Sequence, residues 1–290
     1  MKKEIAPILS KIRSQWKPRK KTSHKGDFGH VLVIAGSGLY TGAPYFSAAA
    51  ALKVGAGLVT LAVPQKIHSI LARRSPDLMV ASIPSDRSGN WGKVSYPSLK
   101  KILKRKTVVV LGPGMGRSPS TIQLIQKLIP QIKQPLIVDA DGLFALSKKR
   151  SLFSNMKDHT VVTPHAGEFE CIWGKVTLEN RKNKAKAAAK KDHLVMVLKG
   201  HQTIIANKNQ CWLNPTGGPA LSKGGTGDVL AGLIGGLAAQ GFSLWDAAKY
   251  GTFIHGFVGD QVAKRTGEAS LLASDLLNEI GPAIKKIRGI

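Results

Sequence analysis

A glycine-rich turn carrying one carboxylate is the part of this 290-residue sequence best suited to chemistry. Gly224-Gly225-Thr226-Gly227 leads directly into an apolar segment with helical character, and Asp228 stands at the junction. Glycines let the backbone take positive φ, and a helix that begins there adds unpaired N–H groups and its positive dipole end. The turn therefore predicts an anion site. Asp228 either caps the helix or takes a proton from a hydroxyl beside a bound phosphate.

Other polar residues that could serve such chemistry stand just after apolar runs. Lys199 could pair with phosphate, although a single lysine is usually a surface residue, and His165 could orient a polar substrate, although a single histidine is more often structural. Carboxylates could organise Mg²⁺ through water, since phosphate-bound Mg²⁺ keeps several waters. The candidates are Asp139, Asp141, Glu168 and Glu170, and the sequence leaves the metal ligands open. Zinc-type His/Cys spacing and a Gly-x-Ser-x-Gly elbow are absent from the sequence.

Short apolar runs alternate with helical segments along the chain and would position these residues. Val31–Ala35 and Val108–Leu111 are typical of buried parallel strands. The alternation predicts one α/β layer structure with right-handed crossovers. Ligands bind beyond the carboxyl ends of parallel strands, so we expect the candidate residues to share one sheet edge. The other predicted strands are 58–63, 136–138, 161–163 and 194–198, with a hairpin at 204–205 and 211–213.

Three glycine clusters, at 36–42, 112–116 and 224–227, could bring backbone close to an anionic ligand. Neither standard phosphate motif fits them. A dinucleotide fingerprint would need a glycine at Thr41 and an acidic residue about 20 positions later, which the sequence does not provide. A Walker loop would need Gly-Lys-Ser/Thr at the required spacing, which is also missing. Each cluster alone is a weak indication.

Net charge and composition limit the classes of partner that the protein can bind. A formal net charge of +26 favours polyanions, meaning nucleic acid, an acidic membrane surface or phosphorylated small molecules. Aromatic residues make up 6% of the chain and no nucleic-acid module is recognisable, so we expect no nucleic-acid partner. No apolar run approaches the ~18 residues needed to cross a bilayer, so we expect no membrane association. Two cysteines, Cys171 and Cys211, indicate a reducing, cytoplasmic compartment.

Residues 1–25 form a basic N-terminal segment, and 26–290 are expected to form a single domain. A short amphipathic helix is predicted ahead of an exposed basic linker at 17–21. The apolar residues with helical spacing are Ile5, Ile8, Leu9 and Ile12. The favoured interpretation of the charge run is a solvated tail, and the alternative is a nucleic-acid arm.

Several longer motifs occur in one order along residues ~25 to the end. They are Lys25-Gly-Asp-Phe-Gly-His30, Gly36-Ser-Gly-Leu-Tyr-Thr-Gly42-Ala43-Pro44, Gly112-Pro-Gly-Met-Gly116, Val138-Asp-Ala-Asp-Gly-Leu143, Thr163-Pro-His-Ala-Gly-Glu168, Lys199-Gly200 and Gly224-Gly-Thr-Gly-Asp228. This set resembles the ADP/ATP-dependent NAD(P)H-hydrate dehydratases, a branch of the ribokinase-like superfamily. The resemblance implies a three-layer α/β/α fold with a central, mostly parallel sheet.

The resemblance also implies roles for individual residues. Ala43, Gly116 and His165 would contact the hydrated nicotinamide nucleotide, and Asp228 would contact its hydroxyl. The adenine nucleotide, ADP or ATP, would be held by two stretches of chain. These comprise Lys199, Gly200, His201, Gln202 and Thr203, together with Gly225, Thr226 and Gly227.

The implied reaction returns NADHX or NADPHX to NADH or NADPH while ATP or ADP is hydrolysed, with Mg²⁺ as cofactor. The inferred mechanism phosphorylates the ring hydroxyl, with Asp228 as base, and then eliminates phosphate. The resemblance further implies a homo-oligomer, a tetramer in relatives, and a separate epimerase acting on the same hydrates. A small-molecule kinase acting on a vitamin-precursor alcohol is the first alternative, and a basic nucleic-acid-binding protein is the second.

Two features depart from the family pattern. Many relatives carry an epimerase domain at the amino end, where this chain has the basic segment. The turn after the last predicted hairpin often reads Thr-Gly-Asn, but here it is Thr216-Gly217-Gly218. The missing side chain argues against a ligand-binding role for that loop.

Overall fold

A computed structural model describes residues 2–16, 18–156 and 158–290, with side chains from residue 5 onward. The strands are β1 His30–Ile34, β2 Leu58–Pro64, β3 Met79–Ile83, β4 Val108–Leu111, β5 Leu136–Val138, β6 Thr160–Val162, β7 Val195–Leu198, β8 Ile204–Ala206 and β9 Cys211–Leu213. The α-helices are α1 Lys2–Gln15, α2 Gly42–Lys53, α3 Gln65–Arg74, α4 Tyr96–Ile102, α5 Pro119–Leu128, α6 Asp141–Ser147, α7 Ala166–Trp173, α8 Arg181–Asp192, α9 Thr226–Ala239, α10 Leu244–Thr266 and α11 Ala273–Arg288.

The strands described form one sheet in the order β3-β2-β1-β4-β5-β6-β7-β8-β9. Neighbours from β3 to β7 pair in parallel, whereas β7, β8 and β9 pair antiparallel. The chain leaves β1 toward β2 on one side and returns to β4 on the other. Strand order therefore reverses between β1 and β4, which is where open α/β sheets bind ligands.

Successive side chains along each strand point to opposite faces of the sheet and pack into two hydrophobic cores, one on each face. In β1, Val31 and Val33 enter one core, and Leu32 and Ile34 enter the other. The first core is completed by α1–α3 and α9–α11, and the second by α4–α8. The predicted three-layer α/β/α arrangement is confirmed. β3 was not predicted, because its half-exposed residues do not form the continuous apolar run of a buried strand.

The N-terminal segment packs against the domain. The predicted amphipathic helix is present as α1, and Ile8, Ile12 and Trp16 are buried in the same core as α10 and α11. For α1 the interpretation as a solvated tail is therefore wrong, because the apolar face of this helix packs in the core. Residues 18–22 of the linker are exposed, and residue 17 lies outside the described residues. No helix in the described parts of the chain is long and apolar enough to cross a membrane.

Gly112 connects β4 to the loop at the switch point, and its backbone requires glycine. Its φ is +123°, and a Cβ there would lie 1.9 Å from the carbonyl oxygen of Asp139. We expect Gly112→Ala to lower the free energy of unfolding by about 3 kcal/mol or more, because strain and overpacking act together. Chemical denaturation measures the loss. Gly174→Ala is the control, since Gly174 has φ +89° with no atom within 4 Å and tests strain alone. Equal losses in the two variants would contradict the steric explanation.

Candidate active site

Three consecutive parallel strands end in polar residues that meet in one cluster. Asp139 follows β5, Thr163 follows β6 and Lys199 follows β7. Asp139 is buried, and its Oδ1 accepts hydrogen bonds from Lys199 Nζ at 2.8 Å and Thr163 Oγ1 at 2.7 Å. Glu168 Oε2 lies 3.7 Å from the same Nζ. Burial lowers the pKa of Lys199, but Asp139 and Glu168 outweigh it, so the pKa is raised and the ammonium stays charged.

The glycine turn places the start of α9 beside this lysine. Gly225 occupies the N-cap position with φ +89°, a left-handed conformation that favours glycine. A Cβ on Gly227 would lie 3.5 Å from Lys199 Nζ, so the ammonium sits over the first turn of the helix. Thr226 Oγ1 donates to the carbonyls of Leu221 and Lys223 and fixes the turn. Backbone N–H groups, helix dipole and a cation thus converge on one point, as an anion site requires.

Asp228 is the third residue of α9, and its carboxylate accepts no hydrogen bond from the described residues. The N-cap position belongs to Gly225, so the interpretation of Asp228 as a helix cap is wrong. Burial raises its pKa to about 7, helped by the negative charge of Asp139 and opposed by Lys199. A half-buried carboxyl group with a pKa near neutrality can exchange a proton at physiological pH.

Ala43, in the first turn of α2, and Gly116, on the loop after β4, lie beside the switch point. Gly36 N–H donates to the carbonyl of Pro113 at 2.8 Å, which ties the loops together. A Cβ on Gly114 would lie 2.9 Å from that of Ala43, and Gly116 N–H donates to Asp141 Oδ2 at 2.8 Å.

Helix α2 links this region to Asp228. Ser47, one turn beyond Ala43, donates from Oγ to the backbone carbonyl of Asp228 at 2.9 Å. Ala43, the Gly116 loop and Asp228 are thus brought to one edge, as the sequence predicts.

A cleft of about 830 Å³ opens beside the start of α9, and neither Ala43 nor Gly116 lines it. Predicted residues that line it are His165, Lys199, Gly200, His201, Thr203, Thr226 and Gly227. Gln202 and Gly225 do not line it, and a Cβ on Gly225 would meet Phe46 and Ala273 instead. His165 caps α7, accepting on Nδ1 from Glu168 N–H at 3.2 Å. It lies with the predicted nucleotide residues, on the cleft side of α9.

Residues 214–223 form a wall of the cleft that sequence reasoning had discounted. Thr216 Oγ1 donates to the carbonyl of Phe253 at 2.9 Å, and Gly217 N–H donates to Asp260 Oδ2 at 3.0 Å, so α10 anchors the loop. Gly217 and Gly218 line the cleft despite lacking side chains. One feature of the sequence could have indicated that this loop belongs to the cleft: residues 214–223 directly precede the glycine turn at 224–227.

His255 on α10 was also missed and is a buried residue of the cleft wall. Its Nε2 lies 2.9 Å from the carbonyl of Thr226, so it supports the first residue of α9. Burial lowers its pKa to about 4, with a further contribution from the charge of Lys199. The imidazole is therefore neutral and donates to the carbonyl from Nε2. In the sequence, His255 is a single histidine within a predicted helical segment and belongs to no recognised motif.

The carboxylates suggested for Mg²⁺ are engaged by protein groups. Asp139 pairs with Lys199, and Asp141 accepts from Arg117 Nε at 2.8 Å. Among the residues described, no group of three or more His, Cys, Asp or Glu side chains could hold a metal ion. These residues do not form a protein cage for Mg²⁺, so a metal here would depend on ligands from the nucleotide phosphates and water.

Known proteins are similar to this chain in sequence and in architecture. The chain is 38% identical over 270 residues to the bifunctional NAD(P)H-hydrate repair enzyme of Moorella thermoacetica, covering 92% of this chain and 51% of that protein. The chain thus spans about half the length of the curated relatives it matches.

Solved structures agree with this relationship. A hypothetical protein of Streptococcus mutans superposes with a TM-score of 0.83 at 29% identity, covering 97% of this chain and 98% of the other. The ADP/ATP-dependent NAD(P)H-hydrate dehydratase of Bacillus subtilis, co-crystallized with ATP/Mg²⁺, superposes with a TM-score of 0.79 at 26% identity, covering 96% and 97%. The sequence model for NAD(P)H-hydrate dehydratases matches residues 31–282, and the chain belongs to that family, on a ribokinase-like fold.

Proposed function

We propose that this protein converts NADHX or NADPHX back to NADH or NADPH at the expense of ATP or ADP. The observation that carries the proposal is the carboxylate of Asp228. It has no hydrogen-bond partner among the described residues, its pKa is near 7, and it stands where an anion-binding helix start meets a nucleotide-sized cleft. Family membership supplies the substrate class, and this geometry supplies a base beside a phosphate site.

The adenine nucleotide is proposed to occupy the 830 Å³ cleft, with its terminal phosphate at the start of α9. Lys199 and the N–H groups of Gly225–Gly227 would stabilise charge on the transferred phosphoryl group. Gly200, His201 and Thr203 would hold the rest of the nucleotide, whereas Gln202 lies outside the lining of the cleft. His165 lines the same cleft and could contact both ligands where they meet.

The hydrated nicotinamide is proposed to lie beside Ala43 and Gly116, with its ring hydroxyl toward Asp228. Asp228 accepts the hydroxyl proton while the oxygen attacks the terminal phosphorus and the bond to the departing nucleotide breaks. The ring nitrogen's lone pair then expels phosphate with cleavage of the carbon–oxygen bond. Loss of a proton from the neighbouring ring carbon restores the double bond of NADH. The enzyme mainly has to convert a poor leaving group into a good one.

The pKa of Asp228 predicts a pH dependence. A raised pKa keeps the carboxyl group protonated below about pH 7, so kcat/KM should fall about tenfold for each pH unit below that value. Because Lys199 lowers this pKa, Lys199→Met should move the inflection to higher pH. Initial rates across the pH range measure both effects. An inflection near pH 4, the ordinary range of an aspartate, would contradict the assignment.

Further properties are proposed on family resemblance and chemistry. Mg²⁺ would enter with the nucleotide and neutralise phosphate charge. We propose a homo-oligomer, a tetramer by family resemblance, and a separate epimerase that supplies the reactive epimer. Residues 26–290 would form the catalytic domain. Cys171 and Cys211 are unpaired, which suits a reducing compartment such as the cytoplasm.

The direct test of function is incubation of the purified protein with NADHX and ATP, and separately with ADP. We expect absorbance of the reduced nicotinamide to return with at least one nucleotide. A stable phosphate ester of a supplied alcohol, without NADH, would instead indicate a small-molecule kinase of this fold. No NADH with either nucleotide would overturn the proposal.

A further inference from the structure

A second cavity lies beyond the amino ends of the central strands, whereas the candidate active site lies beyond their carboxyl ends. Its volume is about 480 Å³, within the roughly 300–1,000 Å³ typical of small-molecule sites. Its walls come from the end of α1, the loops before β1 and β2, the turn after α9 and the last turns of α11. α9 has 14 residues and is about 21 Å long, so the cavity adjoins the far end of the helix that carries Asp228.

Cationic side chains without a carboxylate partner face this cavity. Arg19, Lys53 and Arg288 line it, and none forms an ion pair with another described residue. Asp27 is the only acidic residue among the described lining residues, and His24 engages it through backbone N–H and ring. The cavity therefore carries net positive charge that the protein itself does not neutralise. Guanidinium groups suit phosphate because they donate two parallel hydrogen bonds.

Aromatic rings accompany these cations. Trp16, Phe28 and Phe242 line the cavity. The Arg19 guanidinium lies 3.9 Å above the centre of the Phe28 ring, and that of Arg288 lies 5.7 Å from the centre of the Trp16 ring. Aromatic rings and guanidinium planes together provide surfaces on which a planar base stacks.

Two amides in the lining are oriented by the surrounding structure. Gln240 Nε2 donates to the carbonyls of Val54 and Gly236, which leaves Oε1 as an acceptor. Gln15 Oε1 accepts from the hydroxyl of Tyr250, which leaves Nε2 as a donor. A fixed acceptor and a fixed donor can recognise the polar edge of a base.

We propose that this cavity binds a nucleoside phosphate, with the base among the aromatic and amide groups and the phosphate on Arg19, Lys53 and Arg288. The site is separate from the proposed catalytic cleft and does not depend on the proposed reaction. It also gives a role to the basic run at 17–21, since Arg19 belongs to both.

The test combines titration calorimetry with ADP and photolabelling with 8-azido-ADP followed by peptide mapping. We expect two classes of ADP site, with label on peptides that contain Trp16, Phe28 or Phe242 as well as on the cleft. Arg19→Ala/Arg288→Ala should weaken the second class tenfold or more and leave the cleft class unchanged. Unchanged binding of ADP to the cleft also shows that the variant is folded.

Lys285→Ala is the control, because Lys285 is an exposed residue of the same helix that does not line the cavity. Ribose 5-phosphate should bind more weakly than ADP if the base is recognised. The proposal is overturned by label confined to the cleft, by equal binding of ribose 5-phosphate, or by an equal effect of Lys285→Ala. Salt-dependent oligonucleotide binding without a saturable second ADP site would also overturn it and indicate a nucleic-acid surface.

Discussion

Asp228→Asn should lower kcat for hydrate repair by about 10²–10⁴-fold while leaving nucleotide affinity nearly unchanged. The amide keeps the shape of the side chain but cannot accept the hydroxyl proton. Nucleotide affinity should persist because the cation and the N–H groups of the helix start are untouched. Steady-state kinetics with NADHX, paired with calorimetric titration of ADP, separates the two effects. Full activity in this variant would show that another group is the base.

The same substitution should stabilise the protein at alkaline pH. The folded state holds the proton of Asp228 up to about pH 7, whereas the unfolded chain releases it above about pH 4, so stability is lost as pH rises from about 4 to about 7. The cost at about pH 8 is up to roughly 4 kcal/mol, from a shift of about three units at 1.36 kcal/mol each. Denaturation curves of the variant and the wild type should therefore converge near pH 4, diverge between about pH 4 and pH 7, and keep a constant separation above about pH 7.

Asp246→Asn is the matched control for both measurements. Asp246 is likewise the third residue of a helix, α10, where Ser243 provides the cap. It shares the electrostatic interaction with a helix dipole, which is worth only about 0.3–1 kcal/mol. Its replacement should leave kcat unchanged and destabilise the protein slightly. An increase in stability equal to that of Asp228→Asn would rule out the burial argument.

Lys199→Met should destabilise the protein by about 3–5 kcal/mol, because it leaves the buried charge of Asp139 without its cation. It should also weaken ADP binding by about 10–100-fold, the loss of a charge-assisted hydrogen bond to phosphate. Thermal or chemical unfolding measures the first effect, and calorimetry measures the second.

A double variant separates the structural and functional contributions of Lys199. In Lys199→Met/Asp139→Asn the uncompensated charge is gone and Thr163 Oγ1 can still donate to residue 139. We expect most of the stability to return while ADP affinity stays low. Recovery of both properties together would mean that Lys199 acts only on the fold.

The sequence was informative where a local pattern matched a local structure. Apolar runs such as Val108–Leu111 are buried parallel strands, and the polar residues that follow them share one edge because parallel strands end together. Motifs also located the helix start at Gly225–Asp228. These features depend on residues close together in the chain.

The features that were missed depend on long-range packing. Thr216 lies in the cleft wall because its Oγ1 donates to the carbonyl of Phe253, and His255 lies there because its ring bonds to the carbonyl of Thr226. No local sequence pattern indicates either contact. Four of the 14 residues of α1 are Lys or Arg, yet its position depends on Ile8 and Ile12, which pack in the core. Likewise, the sequence left Asp228 as either a cap or a proton acceptor. The fold excludes the cap, because Gly225 occupies the cap position and no described residue donates a hydrogen bond to the carboxylate of Asp228.

The central claim is that phosphate leaves with the oxygen of the substrate's own hydroxyl. NADHX labelled with heavy oxygen in the ring hydroxyl, incubated with wild-type protein and ATP or ADP, tests it directly by mass spectrometry of the released phosphate. The mechanism predicts one labelled oxygen in each phosphate and one phosphate for each NADH formed. Unlabelled phosphate, with the heavy oxygen recovered in water, would contradict phosphorylation of the hydroxyl.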